Sequence, residues 1–175
     1  PILFRNDSEV QMKGYCTDIY FDEAIKFIKK SNASERPFFA YIATNTPHGP
    51  FNDVPSDKEE IYKAKDLSGL NALTGGNSDS ANNKKLVKIG AMISNIDDNV
   101  GKLFKTLEDE KLMENTIVIY LNDNGPNTKR YTGKFRGMKS DIFEGGVRSP
   151  LWIHWPSKLK AGTKISSNSA AHIDI

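Results

Sequence analysis

The run Thr116-Ile117-Val118-Ile119-Tyr120-Leu121 is apolar and rich in β-branched side chains, and it ends at Asp123-Asn124 before a Gly125-Pro126 break. Such a run reads as a strand buried on both faces, the habit of parallel sheets. In open α/β sheets, ligands collect beyond the carboxyl ends of the strands, where Asp123 and Asn124 fall. This one stretch therefore fixes both a fold class and a place to look for chemistry.

The rest of the chain supplies what such a sheet needs. Pro37 opens Phe38-Phe39-Ala40-Tyr41-Ile42-Ala43, a second buried strand, which runs out into Thr44-Asn45-Thr46-Pro47-His48-Gly49-Pro50. Proline is acceptable at a strand's first residue. Phe21, Ala24, Ile25 and Ile28 give one apolar helical face over about 18–30, with Thr17 or Asp18 as the N-cap. Ser56 and Glu59 have the spacing of a capping box at the start of a short helix between Pro55 and Lys65. Leu86, Ile89, Ile93, Ile96, Val100, Leu103 and Leu107 repeat at three- and four-residue intervals, which predicts a long helix over about 84–111. Asp97 and Asp98 lie off that stripe and read as a solvated face. Pro150 to Pro156 forms a final strand, and Leu73 to Asn83 a glycine- and serine-rich surface loop. This order implies right-handed crossovers and a largely parallel, or mixed, sheet with helices on its faces. The expected class is α/β.

Composition excludes several classes of function. A net charge of +2 over 175 residues gives no electrostatic case for nucleic acid or an anionic membrane. No apolar stretch approaches the roughly 20 residues of a membrane span. The single cysteine, Cys16, forms no internal disulfide and reads as a buried structural thiol.

Four residues could carry chemistry. Asp123 and Asn124 offer a carboxylate and an amide oxygen side by side, the hard donors that calcium or magnesium takes, although Asp-Asn-Gly is also a common turn. His48, in a loop just past a strand, can donate to an anion or protonate a leaving oxygen, or simply sit in a turn. Lys139, with Lys134 and Arg136 nearby, can neutralise a substrate oxygen or belong to a basic surface loop. Glu144-Gly145-Gly146-Val147-Arg148 needs backbone freedom at its glycines, with Glu144 and Arg148 pairing to brace a packed turn. His154 lies within the last strand and reads as packed or face-exposed, and His172 lies near the chain's end.

Together these segments resemble the sulfatase family of the alkaline-phosphatase-like superfamily. The resemblance rests on Pro37-Phe38-Phe39 through Pro50, Met92 through Gly101, Asn115 through Gly125, Arg136-Gly137-Met138-Lys139 and Glu144 through Pro150. Gly14 through Asp18 and His172-Ile173-Asp174 add to it. It implies hydrolysis of a sulfated carbohydrate or an aryl sulfate, with a calcium ion (or magnesium) held in part by Asp123 and Asn124. It also implies that His48 and Lys139 act at the sulfate as catalytic and substrate-binding residues, and that the protein is exported to a periplasmic, secreted or lysosomal compartment. The family's formylglycine nucleophile comes from a C/S-x-P-x-R motif, which this sequence lacks, since Cys16 is followed by Thr-Asp-Ile-Tyr. Its first pair of metal-binding aspartates is missing too. The expectation is therefore that 1–175 is the central portion of a larger catalytic domain, with 51–83 a variable loop region. The alternatives are a phosphatase or phosphonate hydrolase of the same superfamily, and a non-catalytic, degenerate sulfatase-like binding protein. The isolated segment should turn over no sulfate ester, with or without added calcium, in a sulfatase assay. Clear turnover would refute this.

Overall fold

The computed structural model describes residues 1–71, 80–165 and 169–175. The chain divides into two compact units, Pro1–Ser68 with the long helix through Glu110, and Lys111–Ile175 together with the stretch that begins at Gly69. Most of the loop expected over 73–83 lies outside the described residues.

The first unit opens with strands β1 (Ile2–Arg5) and β2 (Ser8–Gln11), an antiparallel hairpin that pairs Leu3 with Val10. Helix α1 (Cys16–Ala33) follows, then α2 (Ser56–Lys63) and, after the single turn α3 (Ser68–Asn71), which beyond Ser68 groups with the second unit, α4 (Ser80–Asp109). Helix α1 starts two residues earlier than its apolar pattern indicates. Tyr15 is its N-cap residue and makes no side-chain cap bond. Thr17 and Asp18, expected as caps, are used in packing instead. Pro55 likewise precedes α2, where no side-chain cap forms, so Ser56 does not close the expected box.

Helix α4 buries Leu86, Ile89, Ile96 and Leu107 as its periodicity requires, but Ile93 is exposed. Its buried face is rotated toward Ala91, Met92, Asn95, Asn99 and Thr106 because it packs against both α1 and α2. On the α2 side, Gly90 leaves the space that the Tyr62 ring fills, and the Tyr62 hydroxyl meets Ser94 Oγ at 2.8 Å. Asp98 pairs with Lys58 from the surface, and Asp97 is exposed, as expected of a solvated face. On the α1 side, one carboxylate oxygen of Asp18 accepts from Asn95 Nδ2 (2.8 Å) and Asn99 Nδ2 (2.7 Å). Asn99 is fully buried, so these bonds satisfy amide groups that water cannot reach.

Residues 38–43 form no regular element and pair with no strand among the described residues. Phe39 and Tyr41 are 87% and 79% exposed, so the burial expected of this strand is not present in this chain. The second unit holds β3 (Val118–Leu121) and β4 (Leu151–His154), an antiparallel pair aligning Tyr120 with Trp152. Between them lies the single turn α5 (Glu144–Val147). Trp152 and Ile153 are at least half exposed, and Ile117 and Ile119 also face outward, so β3 is not buried on both faces here. Both ladders among the described residues are antiparallel, and the class remains α/β.

Replacing Asp18 with Ala leaves two buried amides short of an acceptor. Chemical denaturation should show a loss of about 1–3 kcal/mol.

Candidate functional site

In the first unit, the loop that carries His48 is tied to helices α1 and α4. Thr17, buried at the start of α1, places its hydroxyl 3.1 Å from that of Thr46. Thr44 Oγ1 donates to the Thr46 carbonyl, and Lys88 Nζ from α4 donates to the Phe51 carbonyl at 2.7 Å. The peptide bonds preceding Pro47 and Pro50 are both cis. His48 is exposed, and its Nδ1 lies 2.6 Å from the Gly49 carbonyl. A carbonyl only accepts, so Nδ1 carries the proton in this bond, which leaves Nε2 as the acceptor nitrogen of the neutral ring. Tyr15 lies at the base of this region. Burial of its ring oxygen, reinforced by Asp53, pushes its phenol up to about 12.

In the second unit, β3 ends at Leu121 and delivers Asp123 and Asn124 into the following loop. One Asp123 oxygen accepts from the Asn124 backbone N–H at 2.9 Å. Asn124 Nδ2 donates to the Gly125 carbonyl at 2.8 Å, which leaves the amide oxygen free. The pair therefore presents oxygens rather than donors, which suits a hard divalent cation. Calcium takes six to eight oxygens, so two supply a minority of its shell. Among the described residues, no group of three His, Cys, Asp or Glu side chains could complete it.

Lys139 is brought to the same loop by its backbone, whose N–H donates to the Pro126 carbonyl at 2.9 Å. As a residue Lys139 is half-buried, and it makes no ion pair among the described residues. The Glu144–Arg148 brace forms as expected, at 2.9 Å, with the Arg148 guanidinium stacked over Phe135. The role of the glycines differs from the expectation. Gly145 and Gly146 lie in the helical turn α5 and not in the left-handed region, so backbone freedom is not why they are there. They are needed for contact. A Cβ on Gly145 would overlap the carbonyl oxygens of Gly137 and Arg136, and one on Gly146 those of Asp141 and Met138. Gly125 is packed the same way against the Gly145 carbonyl, and its N–H donates to Gly146 O at 2.8 Å. Gly137, at φ +95°, does require the left-handed region.

Sequence reasoning missed Thr17 as the anchor of the His48 loop, because a threonine before an acidic helix start looks like a cap. It also missed Arg130, between the oxygen pair and Lys139. Burial pulls its guanidinium below the ordinary arginine range, and it has no partner among the described residues. A semi-buried arginine has no signature in sequence. Cys16 is partly exposed rather than buried.

A strand-end oxygen pair suits a hard cation, and a lysine whose backbone is bonded to the same loop suits an oxyanion. The family model described as Sulfatase matches residues 3–175, and the chain belongs to the sulfatase family. It is 30% identical over 165 residues to N-acetylgalactosamine-6-sulfatase of Canis lupus familiaris, a match that covers 91% of this chain and 27% of that protein. It is also 30% identical to the uncharacterized sulfatase YdeN of Escherichia coli, covering 93% and 27%. The chain thus spans 27% of the length of each of these relatives. Among solved structures, it superposes on Ps i-CgsB in complex with k-i-k-neocarrahexaose with a TM-score of 0.73 and 27% identity, over 90% of this chain and 32% of that one. It superposes on yidJ of Bacteroides fragilis, described as a candidate sulfatase, with a TM-score of 0.75 and 25% identity, over 91% and 36%.

Alanine at Gly145 or Gly146 meets backbone oxygens that cannot move aside, and should cost about 1–3 kcal/mol or more. Alanine at Gly101, inside α4 with open space around it, should instead stabilise by about 0.5–1 kcal/mol. Thermal melts of the three variants check both signs.

Proposed function

We propose that this chain is the central portion of the catalytic domain of a sulfuric ester hydrolase acting on sulfated carbohydrates or aryl sulfates. The observation that carries the reading is the orientation of Asn124: with Nδ2 held by the Gly125 carbonyl, its free oxygen and the Asp123 carboxylate form an acceptor-only pair, and Lys139 is hydrogen-bonded to the same loop. A sulfated carbohydrate is favoured by the relatives, one named for a sulfated amino sugar and one bound to a neocarrahexaose.

In this reading, Asp123 and Asn124 hold a calcium ion (magnesium is the alternative), together with ligands from the rest of the protein. Such an ion, when bound, neutralises charge on sulfate oxygens. Lys139 places its ammonium on a sulfate oxygen and stabilises charge that develops there in the transition state. His48, with Nδ1 held by Gly49 O, presents Nε2 to the leaving oxygen and, when protonated, donates to it. The formylglycine nucleophile belongs to the longer protein. The largely parallel sheet also belongs there, where residues 38–43 and the outward apolar side chains of β3 and β4 become covered. The residues 51–83 form a variable region that contributes to specificity, and the whole protein is exported. Among the described residues, no helix is long and apolar enough to cross a membrane.

In the full-length protein, Lys139→Ala and His48→Ala should each lower kcat/KM on a sulfated sugar by at least about a hundredfold. A panel of sulfated sugars, aryl sulfates, phosphate monoesters and phosphonate esters tests the class. Turnover confined to phosphate or phosphonate esters would overturn the sulfatase reading, and no turnover on any of them would favour a binding protein.

A further inference from the structure

The carbonyl of Asn122 lies one residue before the oxygen pair, and two side chains from distant parts of the chain converge on it. Ser149 Oγ donates to it at 2.8 Å from just ahead of β4. His172 Nε2 lies 3.2 Å from it, reaching back across 50 positions. A carbonyl oxygen has two lone pairs and no proton, so both contacts are donations and His172 carries its proton on Nε2.

The two donors are themselves fixed. Ser149 follows the α5 turn, whose glycines are locked against backbone, and precedes the strand that pairs with β3. His172 opens a short 3-10 turn closed at both ends, with Ala171 N donating to Asp174 Oδ2 at 2.6 Å and Asp174 N donating to Ala171 O at 2.9 Å.

The Asn122 carbonyl and the Asp123 amide belong to one rigid peptide plane. If that plane rotates, the direction in which Asp123 leaves the backbone rotates with it, and so does the start of the turn that orients Asn124. We propose that Ser149 and His172 are positioning residues which, by gripping this plane, hold the Asp123–Asn124 oxygens in the geometry that binds the divalent cation. The inference rests on the reading of Asp123 and Asn124 as metal ligands given above. Neither residue touches substrate or metal in this role; each acts through Asn122.

The test is calorimetric titration of calcium into the full-length protein, stripped beforehand with a chelator, in wild type and single variants. Ser149→Ala and His172→Ala should each raise the calcium Kd about tenfold or more, the usual effect of losing a group that orients a ligand. Ser149→Thr keeps the hydroxyl, and His172→Gln keeps an N–H at the same reach, so both should restore Kd toward wild type. A purely structural role would lower the melting temperature of the stripped protein and leave Kd unmoved. Asp123→Ala separates the two levels of the argument. Binding lost in Asp123→Ala but unchanged in Ser149→Ala and His172→Ala would overturn the positioning role alone. Wild-type Kd in Asp123→Ala would remove the metal assignment, and this inference with it. If Ser149→Ala does not fold, the His172→Ala and His172→Gln pair reads the same effect.

Discussion

The second unit depends on backbone packed directly on backbone. Where the loop after β3 meets the α5 turn, Gly125, Gly145 and Gly146 have carbonyl oxygens in the space a Cβ would need. No side chain mediates the contact. Three hydrogen bonds, Gly125 N to Gly146 O, Gly145 N to Arg136 O and Lys139 N to Pro126 O, stitch residues 125–126, 136–139 and 145–146 to one another at 2.7–2.9 Å. Contacts of this kind tolerate little displacement, because neither partner has a flexible end to move. The oxygen pair and Lys139 both hang from this seam, so the precision of any anion site here comes from glycine backbone.

The first unit solves a different problem with polar groups. Helices α1 and α4 meet through Asp18, Asn95 and Asn99, and the loop bearing His48 is latched by Thr17 and Lys88. A buried polar cluster is costly unless every member is bonded, and here the carboxylate accepts from both amides. The same helix face that stabilises the unit thereby fixes the position from which the histidine loop departs. Fold and candidate site are coupled through a few side chains rather than through a broad apolar surface.

Apolar side chains face outward on residues 38–43, β3 and β4. The chain spans 27% of the length of its dog and E. coli relatives. A strand composed for burial on two faces keeps that composition whether or not its neighbours are in the same segment. Composition placed Ile117, Ile119 and Phe39 in buried strands; of the three only Ile119 lies in a strand, and all three are exposed, while the α/β class stands on the helices and the short strands present.

Sequence alone located the three longer helices, because periodic apolar spacing is a local property, and it nominated the candidate residues His48, Asp123, Asn124 and Lys139, because residue type at a strand end restricts chemistry. It also marked Glu144 and Arg148 as partners, four positions apart on one turn. It misjudged the buried face of α4, the role of Thr17 and the reason for Gly145 and Gly146. Each of those is decided by a neighbour far along the chain: α2 against Gly90, Thr46 against Thr17, and the 136–141 backbone against the glycines. Only tertiary structure brought Ser149 and His172 onto the Asn122 carbonyl, since a carbonyl has no identity in sequence and its partners are 27 and 50 residues away.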